Sequence, residues 1–202
     1  MNNKEIALNM LKSNTDVLSI ARVIEDGNFV AFHLLAKKDD ATNVVAFAVF
    51  EIENETVKQT LHTEAPYLNQ PTPSGHTQLD GPTAIDKTFD TAATKKIVID
   101  TINATLMGGP HMDHVRDYMG DHYIQHHIGV PDGLDVVIKG VAMLKKAGKE
   151  SIYTKINYVI AEGNFALTIS NGHAGGVQKT YYDLFRVEND HIVEHWDIVN
   201  PV

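Results

Sequence analysis

No cysteine occurs among the 202 residues, which excludes disulfides, thiolate nucleophiles and thiolate metal ligands at once. That absence fits a reducing compartment. Positive charge is also scarce, with 17 Lys and Arg against 26 Asp and Glu and a formal net charge of −9. The basic residues are scattered and the longest basic runs are pairs, so nucleic acid is not an expected partner, because phosphate neutralisation needs clustered cations. No apolar run approaches the roughly 20 residues that a membrane-crossing helix needs, so no membrane partner is expected. The opening Met1-Asn2-Asn3-Lys4-Glu5 lacks the basic region and apolar stretch of a secretory signal. A soluble, cytoplasmic, acidic protein is the expectation. The hydrophobic share of 43% suffices for a core in one large domain or two small ones.

What is present is a repeat. Val23-Ile24-Glu25-Asp26-Gly27-Asn28-Phe29 recurs as Val159-Ile160-Ala161-Glu162-Gly163-Asn164-Phe165, with five of seven residues identical. Phe50-Glu51-Ile52-Glu53-Asn54-Glu55 recurs as Phe185-Arg186-Val187-Glu188-Asn189-Asp190, and Ala7–Lys12 is echoed by 141–145. The order is preserved at offsets of 133 to 136 residues, so one supersecondary unit has been duplicated. Each copy begins with a helix (about Lys4–Ser13 and Leu134–Ala147) and continues with four β segments, near 151–161, 164–171, 177–187 and 191–200 in the second copy. Glu162-Gly163-Asn164 and Glu188-Asn189-Asp190-His191 supply turn signals between them. The second copy is preceded by an amphipathic helix over Ala92–Met107, ended by Gly108-Gly109-Pro110, and by a short helix over Met112–Met119. The first copy has no counterpart to these. Four of the seven prolines fall between Pro66 and Pro82, which marks an extended linker running along the surface. The expected organisation is an incomplete copy over residues 1–68, a linker over 69–87 and a complete copy over 88–202, in an α+β fold.

Four motifs stand in order in the second copy: Tyr123-Ile124-Gln125-His126, Val130-Pro131-Asp132-Gly133, Tyr182-Asp183-Leu184-Phe185-Arg186-Val187-Glu188-Asn189 and Val193-Glu194-His195-Trp196-Asp197. Together they resemble the SnoaL-like polyketide cyclase branch of the NTF2-like superfamily, in full over Thr88–Val202 and in part over Lys4–Leu68. The resemblance implies a cone: a strongly curved antiparallel sheet packed on helices around a pocket at its wide end. It also implies dimers formed through the outer sheet face. In the family's cyclases an acidic residue on the last strand is the general acid/base of an intramolecular aldol condensation without metal or cofactor. Asp197 matches that position and His195 matches its accompanying histidine.

Read without the family, His195 and Asp197 are two apart on a strand, so both project from one face while Trp196 and Ile198 project from the other. Partial burial of the carboxyl would raise its pKa toward working pH, as acid/base catalysis requires. The plainer reading leaves both residues exposed and only Trp196 in the core; the family match favours the pocket. Asp183 lies opposite His195 if the β hairpin has a three-residue loop, and can then accept the imidazole N–H. A two-residue Asn189-Asp190 turn puts it opposite Trp196 instead. In an extended 123–126 segment Tyr123 and Gln125 face one way, and Ile124 and His126 the other. His126 either polarises a substrate carbonyl at the pocket mouth or hydrogen-bonds the following turn, while His127 is read as surface. Among eleven histidines, His122 with His126 and His111 with His114 have helical ligand spacing, but no His-Glu-x-x-His pattern occurs and no metal site is expected.

In the first copy Thr60-Leu61-His62 replaces His195-Trp196-Asp197, and Ala48 replaces Asp183. That copy is therefore read as scaffold, its sheet serving as partner to the second within one chain, unless a homodimer does so. The functional expectation is a cofactor-free cyclase- or isomerase-type enzyme acting on a small or polycyclic carbonyl compound held in an apolar pocket. Asp197, His195 and His126 are its catalytic candidates, with Asp183, Gln125 and Tyr123 lining or supporting the pocket. The alternative is a non-catalytic small-molecule-binding protein.

Overall fold

The computed structural model describes residues 1–202. In chain order the elements are α1 (Asn3–Asn14), β1 (Asp16–Asp26), β2 (Phe29–Lys37), β3 (Asn43–Glu53), β4 (Thr56–Pro66), α2 (Thr91–Thr105), β5 (Met119–Gln125), α3 (Leu134–Lys146), β6 (Ser151–Glu162), β7 (Phe165–Ala174), β8 (Val177–Glu188) and β9 (His191–Pro201). Local chemistry sets the helix starts. Asn2 and Glu5 form a capping box at α1, and the Asp90 carboxylate accepts the Ala92 N–H at 2.8 Å to open α2, each satisfying donors that have no intrahelical partner. The short helix expected over 112–119 is only a 3₁₀ turn, Val115–Asp117. No helix is long and apolar enough to cross a membrane.

The strands form two sheets, ordered β1-β2-β3-β4 and β5-β9-β8-β7-β6. The first is an antiparallel meander; in the second, β5 runs parallel to β9. Neither sheet closes on itself, since β1 and β4 remain edges of one and β5 and β6 of the other. The expected single curved antiparallel sheet wrapped into a cone is therefore corrected to two open sheets with three helices. The physical reason lies in the layers. Alternating residues of the first sheet (Val45, Phe47, Val49) meet alternating residues of the second (Leu167, Ile169, Tyr182, Leu184, Trp196, Ile198) in one buried cluster. Apolar burial is thus achieved between sheets rather than by curling one sheet around helices. The outer face of the first sheet buries Ala7 and Leu11 of α1, and the outer face of the second takes Val98 and Ile102 of α2 and Leu134 of α3.

The duplicated sequence carries its irregularities with it. The β1–β2 pairing shifts between Val17 and Ser19 and between Ile20 and Arg22; the β6–β7 pairing shifts 136 residues later, between Tyr153 and Lys155 and between Ile156 and Tyr158. Asn54 and Glu55 (φ 49° and 58°) and Asn189 and Asp190 (φ 48° and 61°) make matching two-residue turns with both φ positive, the hairpin geometry that suits strand twist.

The segment between the copies runs along the surface, with residues 80–84 exposed, and is tied down at residues 79–82. Arg22, 2% exposed, donates Nε–H to Pro82 O at 2.8 Å, Nη1–H to Leu79 O at 3.2 Å and Nη2–H to Asp80 O at 2.6 Å. Its guanidinium lies 3.9 Å from the centre of the Trp196 ring, and the Trp196 indole N–H donates to Asp80 O at 3.1 Å. A buried cation in one sheet and the single tryptophan in the other thus fix residues 79–82 against both sheets.

Candidate functional site

The register of β8 and β9 decides which side chains meet. Asn189-Asp190 is a two-residue turn, with Glu188 opposite His191 and Val187 opposite Ile192. A bulge at Val193 then shifts the pairing by one, so Arg186 faces Glu194, Phe185 faces His195 and Asp183 faces Asp197. Both sequence-derived registers for Asp183 are corrected: an extra residue in one strand re-aims everything beyond it. His195, Asp197 and Asp183 share the face that packs toward the helices, while Trp196 and Ile198 face the first sheet.

Asp183 is buried. Its Oδ2 accepts the Tyr153 hydroxyl proton at 3.0 Å, and its Oδ1 lies 3.1 Å from His195 Nε2. His195 Nδ1–H points to Gln125 Oε1 at 3.2 Å, and the same oxygen accepts the His127 backbone N–H at 3.0 Å. The Gln125 amide oxygen and the Asp183 carboxyl thus hold the His195 ring at its two nitrogens. Burial pushes Asp183 above the usual aspartate range, although the hydrogen bonds from His195 and Tyr153 pull the other way. Tyr123, stacked on His195 at 6.3 Å, is buried and its phenol is pushed well above the ordinary tyrosine range, chiefly by burial and then by the charges of Asp197 and Asp183.

Asp197 behaves oppositely. Burial works to raise its pKa, but the hydrogen bond from His127 and the charges of His127 and His195 outweigh it, and the carboxyl sits below the usual range. The raised Asp197 pKa expected from sequence is therefore corrected; the raised carboxyl is its cross-strand neighbour. His127 Nδ1–H donates to Asp197 Oδ1 at 2.7 Å. That bond, and the Asp197 charge, raise the imidazole pKa against the effect of burial. His127 was read as surface, and its side chain is 47% exposed, yet it is the residue that reaches Asp197. A cavity of about 260 Å³ lies beside the pair, bordered by Ala65, Pro66 and Leu68 at the end of β4, by Gln78, and by His126, His127 and Asp197.

His126 borders the same cavity, but its ring joins a different group. It stacks on Trp196 at 4.5 Å, on the opposite side of β9 from His195. Its Nε2 meets Glu194 Oε1 at 2.8 Å and its Nδ1 meets Thr77 O at 2.7 Å and Asp80 Oδ1 at 3.0 Å. The structure thus assembles Asp183, His195, Asp197, Gln125 and Tyr123, adds His127 and Tyr153, and places His126 apart. Alternation along β9 is the signal that carries His195 and Asp197. Nothing local to His127 or Tyr153 announces them, because their partners lie 70 and 30 residues away in sequence.

No family model and no curated protein matches the chain. Solved structures are similar over part of it. A candidate ketosteroid isomerase from Kribbella flavida has a TM-score of 0.48 at 10% identity, over 57% of this chain and 83% of that one. A candidate SnoaL-like polyketide cyclase from Jannaschia has a TM-score of 0.44 at 14% identity, over 59% and 92%. An NTF2-like protein from Burkholderia xenovorans has a TM-score of 0.41 at 15% identity, over 55% and 92%.

Proposed function

We propose that this protein is an enzyme that moves protons on a small carbonyl compound, using side chains alone, in the cavity beside His127 and Asp197. One observation carries the reading. Two carboxyls face each other across β8 and β9, each has its own histidine, and their pKa values are displaced in opposite directions. Such a split separates a proton-holding group from an ionised one within a single site.

In this reading Asp197 stays ionised and fixes the His127 ring through Nδ1–H, leaving Nε2 to exchange a proton with the bound molecule. Neutral His127 removes a proton α to the carbonyl, the imidazolium that forms is stabilised by Asp197, and the proton is returned to product. Asp183 and His195 hold a further proton beneath the site, with Tyr153 and Gln125 fixing them. An aldol condensation, the reaction the family resemblance implies, begins with this same abstraction. A cavity of about 260 Å³ suits a small ligand better than a polycyclic one. His126, engaged at both nitrogens, has no catalytic part.

The test is exchange of the C3 protons of pentane-2,4-dione for deuterium in D₂O, followed by proton NMR. The protein is expected to accelerate exchange beyond a matched imidazole buffer, and His127→Gln and Asp197→Asn to lose roughly 100-fold of that acceleration. Binding of linear and cyclic 1,3-diones with unchanged affinity in Asp197→Asn, and no acceleration by the unaltered protein, would instead establish a binding protein.

A further inference from the structure

A second cluster lies on the other side of β9, where the segment between the copies meets the end of β5. His76, Asp80 and His126 each offer one ligand atom, and these atoms all lie within 4.8 Å of one another. Asp80 Oδ1 is 3.0 Å from His126 Nδ1, and Asp80 Oδ2 is 3.7 Å from His76 Nδ1. Around a tetrahedral ion with ligand bonds of about 2.0–2.1 Å, neighbouring ligand atoms stand roughly 3.3 Å apart, a value that lies between these two separations.

The outer nitrogens supply an independent observation. His76 Nε2 lies 2.9 Å from Asp132 Oδ2, and His126 Nε2 lies 2.8 Å from Glu194 Oε1. Both rings therefore present Nδ1 to the cluster and Nε2–H to a carboxylate, the arrangement by which metal-binding histidines are held in one tautomer. The His126 side chain is fully buried, and every polar atom that its two nitrogens meet is an acceptor: Thr77 O, Asp80 Oδ1 and Glu194 Oε1. Backbone and carboxylate oxygens therefore surround the ring at both nitrogens. Glu194 is itself held by Arg186, whose Nε–H donates to Oε2 at 2.5 Å.

We propose that His76 Nδ1, His126 Nδ1 and the Asp80 carboxylate bind one divalent transition-metal ion of the zinc type, with Asp132 and Glu194 orienting the two imidazoles. Two imidazoles and one carboxylate suit Zn²⁺ or Co²⁺ rather than Mg²⁺, which prefers oxygen ligands alone. Asp80 is 42% exposed and His76 29% exposed, so the ion enters from solvent and a water completes its shell. The ligands come from residues 76–80 and from the end of β5, so the ion fastens the segment between the copies onto the second sheet. This site is separate from the Asp183–His195–Asp197 group and does not depend on its function.

The test uses the full chain, freed of metal with a chelator and titrated with Co²⁺. One equivalent is expected to give the visible d–d absorption of a low-coordinate ion, and Zn²⁺ should displace it. Zn²⁺ at about a hundredfold excess over Kd should raise Tm by roughly 5–10 °C. Because His126→Ala is buried and can fail to fold, the deciding variants are the more exposed His76→Ala and Asp80→Asn, with folding checked by circular dichroism. Both should abolish the cobalt spectrum, and Asp132→Asn should weaken binding roughly 10- to 100-fold. Asp197→Asn should bind Co²⁺ normally. No cobalt spectrum in the unaltered protein, or one that survives His76→Ala and disappears in Asp197→Asn, would overturn the assignment.

Discussion

Replacing Arg22 by methionine removes the guanidinium and keeps most of the buried stem. Three hydrogen bonds from the charged group to Pro82, Leu79 and Asp80 carbonyls are lost, each contributing roughly 1.5–3 kcal/mol when a charge is involved. The cation–π contact with Trp196 at 3.9 Å adds about 2 kcal/mol in a desolvated setting. Against this stands the cost of burying the cation, which lowers the Arg22 pKa to about 10 despite the opposing charges of Glu194 and Asp80 and offsets a few kcal/mol. A net loss of about 3–5 kcal/mol follows, equivalent to a fall in Tm of roughly 6–20 °C for a chain of this size. Urea unfolding followed by the fluorescence of the single tryptophan measures it directly, since Trp196 stacks on both Arg22 and His126. Limited proteolysis should cut residues 69–87 faster in the variant. Stability within about 1 kcal/mol of the unaltered protein, with unchanged cleavage, would refute the view that Arg22 anchors this segment.

Two further outcomes test packing and electrostatics. Gly27 and Gly163 occupy equivalent turns with φ of 58° and 56°, but a Cβ on Gly163 would lie 2.3 Å from Asp86 O whereas one on Gly27 meets nothing within 4 Å. Gly27→Ala should cost about 1 kcal/mol of conformational strain, and Gly163→Ala about 1–3 kcal/mol more; equal losses in urea unfolding would contradict the contact. Asp183 has a folded-state pKa above its unfolded value, so its contribution to stability is fully present below the unfolded pKa and is lost as pH rises through the folded one. Asp183→Asn has no such loss, so its stability relative to the unaltered protein should improve as pH rises above the unfolded aspartate pKa of about 3.9; a difference that stays constant as pH rises would count against a raised Asp183.

Legibility in the sequence followed the range of the forces involved. Strands and hairpins were readable because alternation and turn residues are local: Trp196 and Ile198 do share a buried face, and Asn189-Asp190 does turn with both φ positive. The cone was not readable, because whether a sheet curls or meets another sheet depends on contacts such as Phe47 with Tyr182, whose rings stack at 6.3 Å across 135 residues. The site divided along the same line. His195 and Asp197 follow from period two, while the bulge at Val193 shifted Asp183 onto Asp197 through one residue that no turn rule distinguishes. The segment between the copies does follow the surface, but its anchor Arg22 lies 60 residues before Pro82, and no local signal announces it. His126 does line the cavity with His127 and Asp197, while His76 and Asp80 reach its ring from that segment, contacts that local spacing does not announce.

The pairing of His127 with Asp197 is the hinge of the functional reading, and NMR titration of the His127 ring measures it. The imidazole of the unaltered protein should titrate above the ordinary histidine value, as the Asp197 hydrogen bond and charge require, and in Asp197→Asn it should fall back toward or below that value. An His127 that titrates identically in the two proteins would contradict the account.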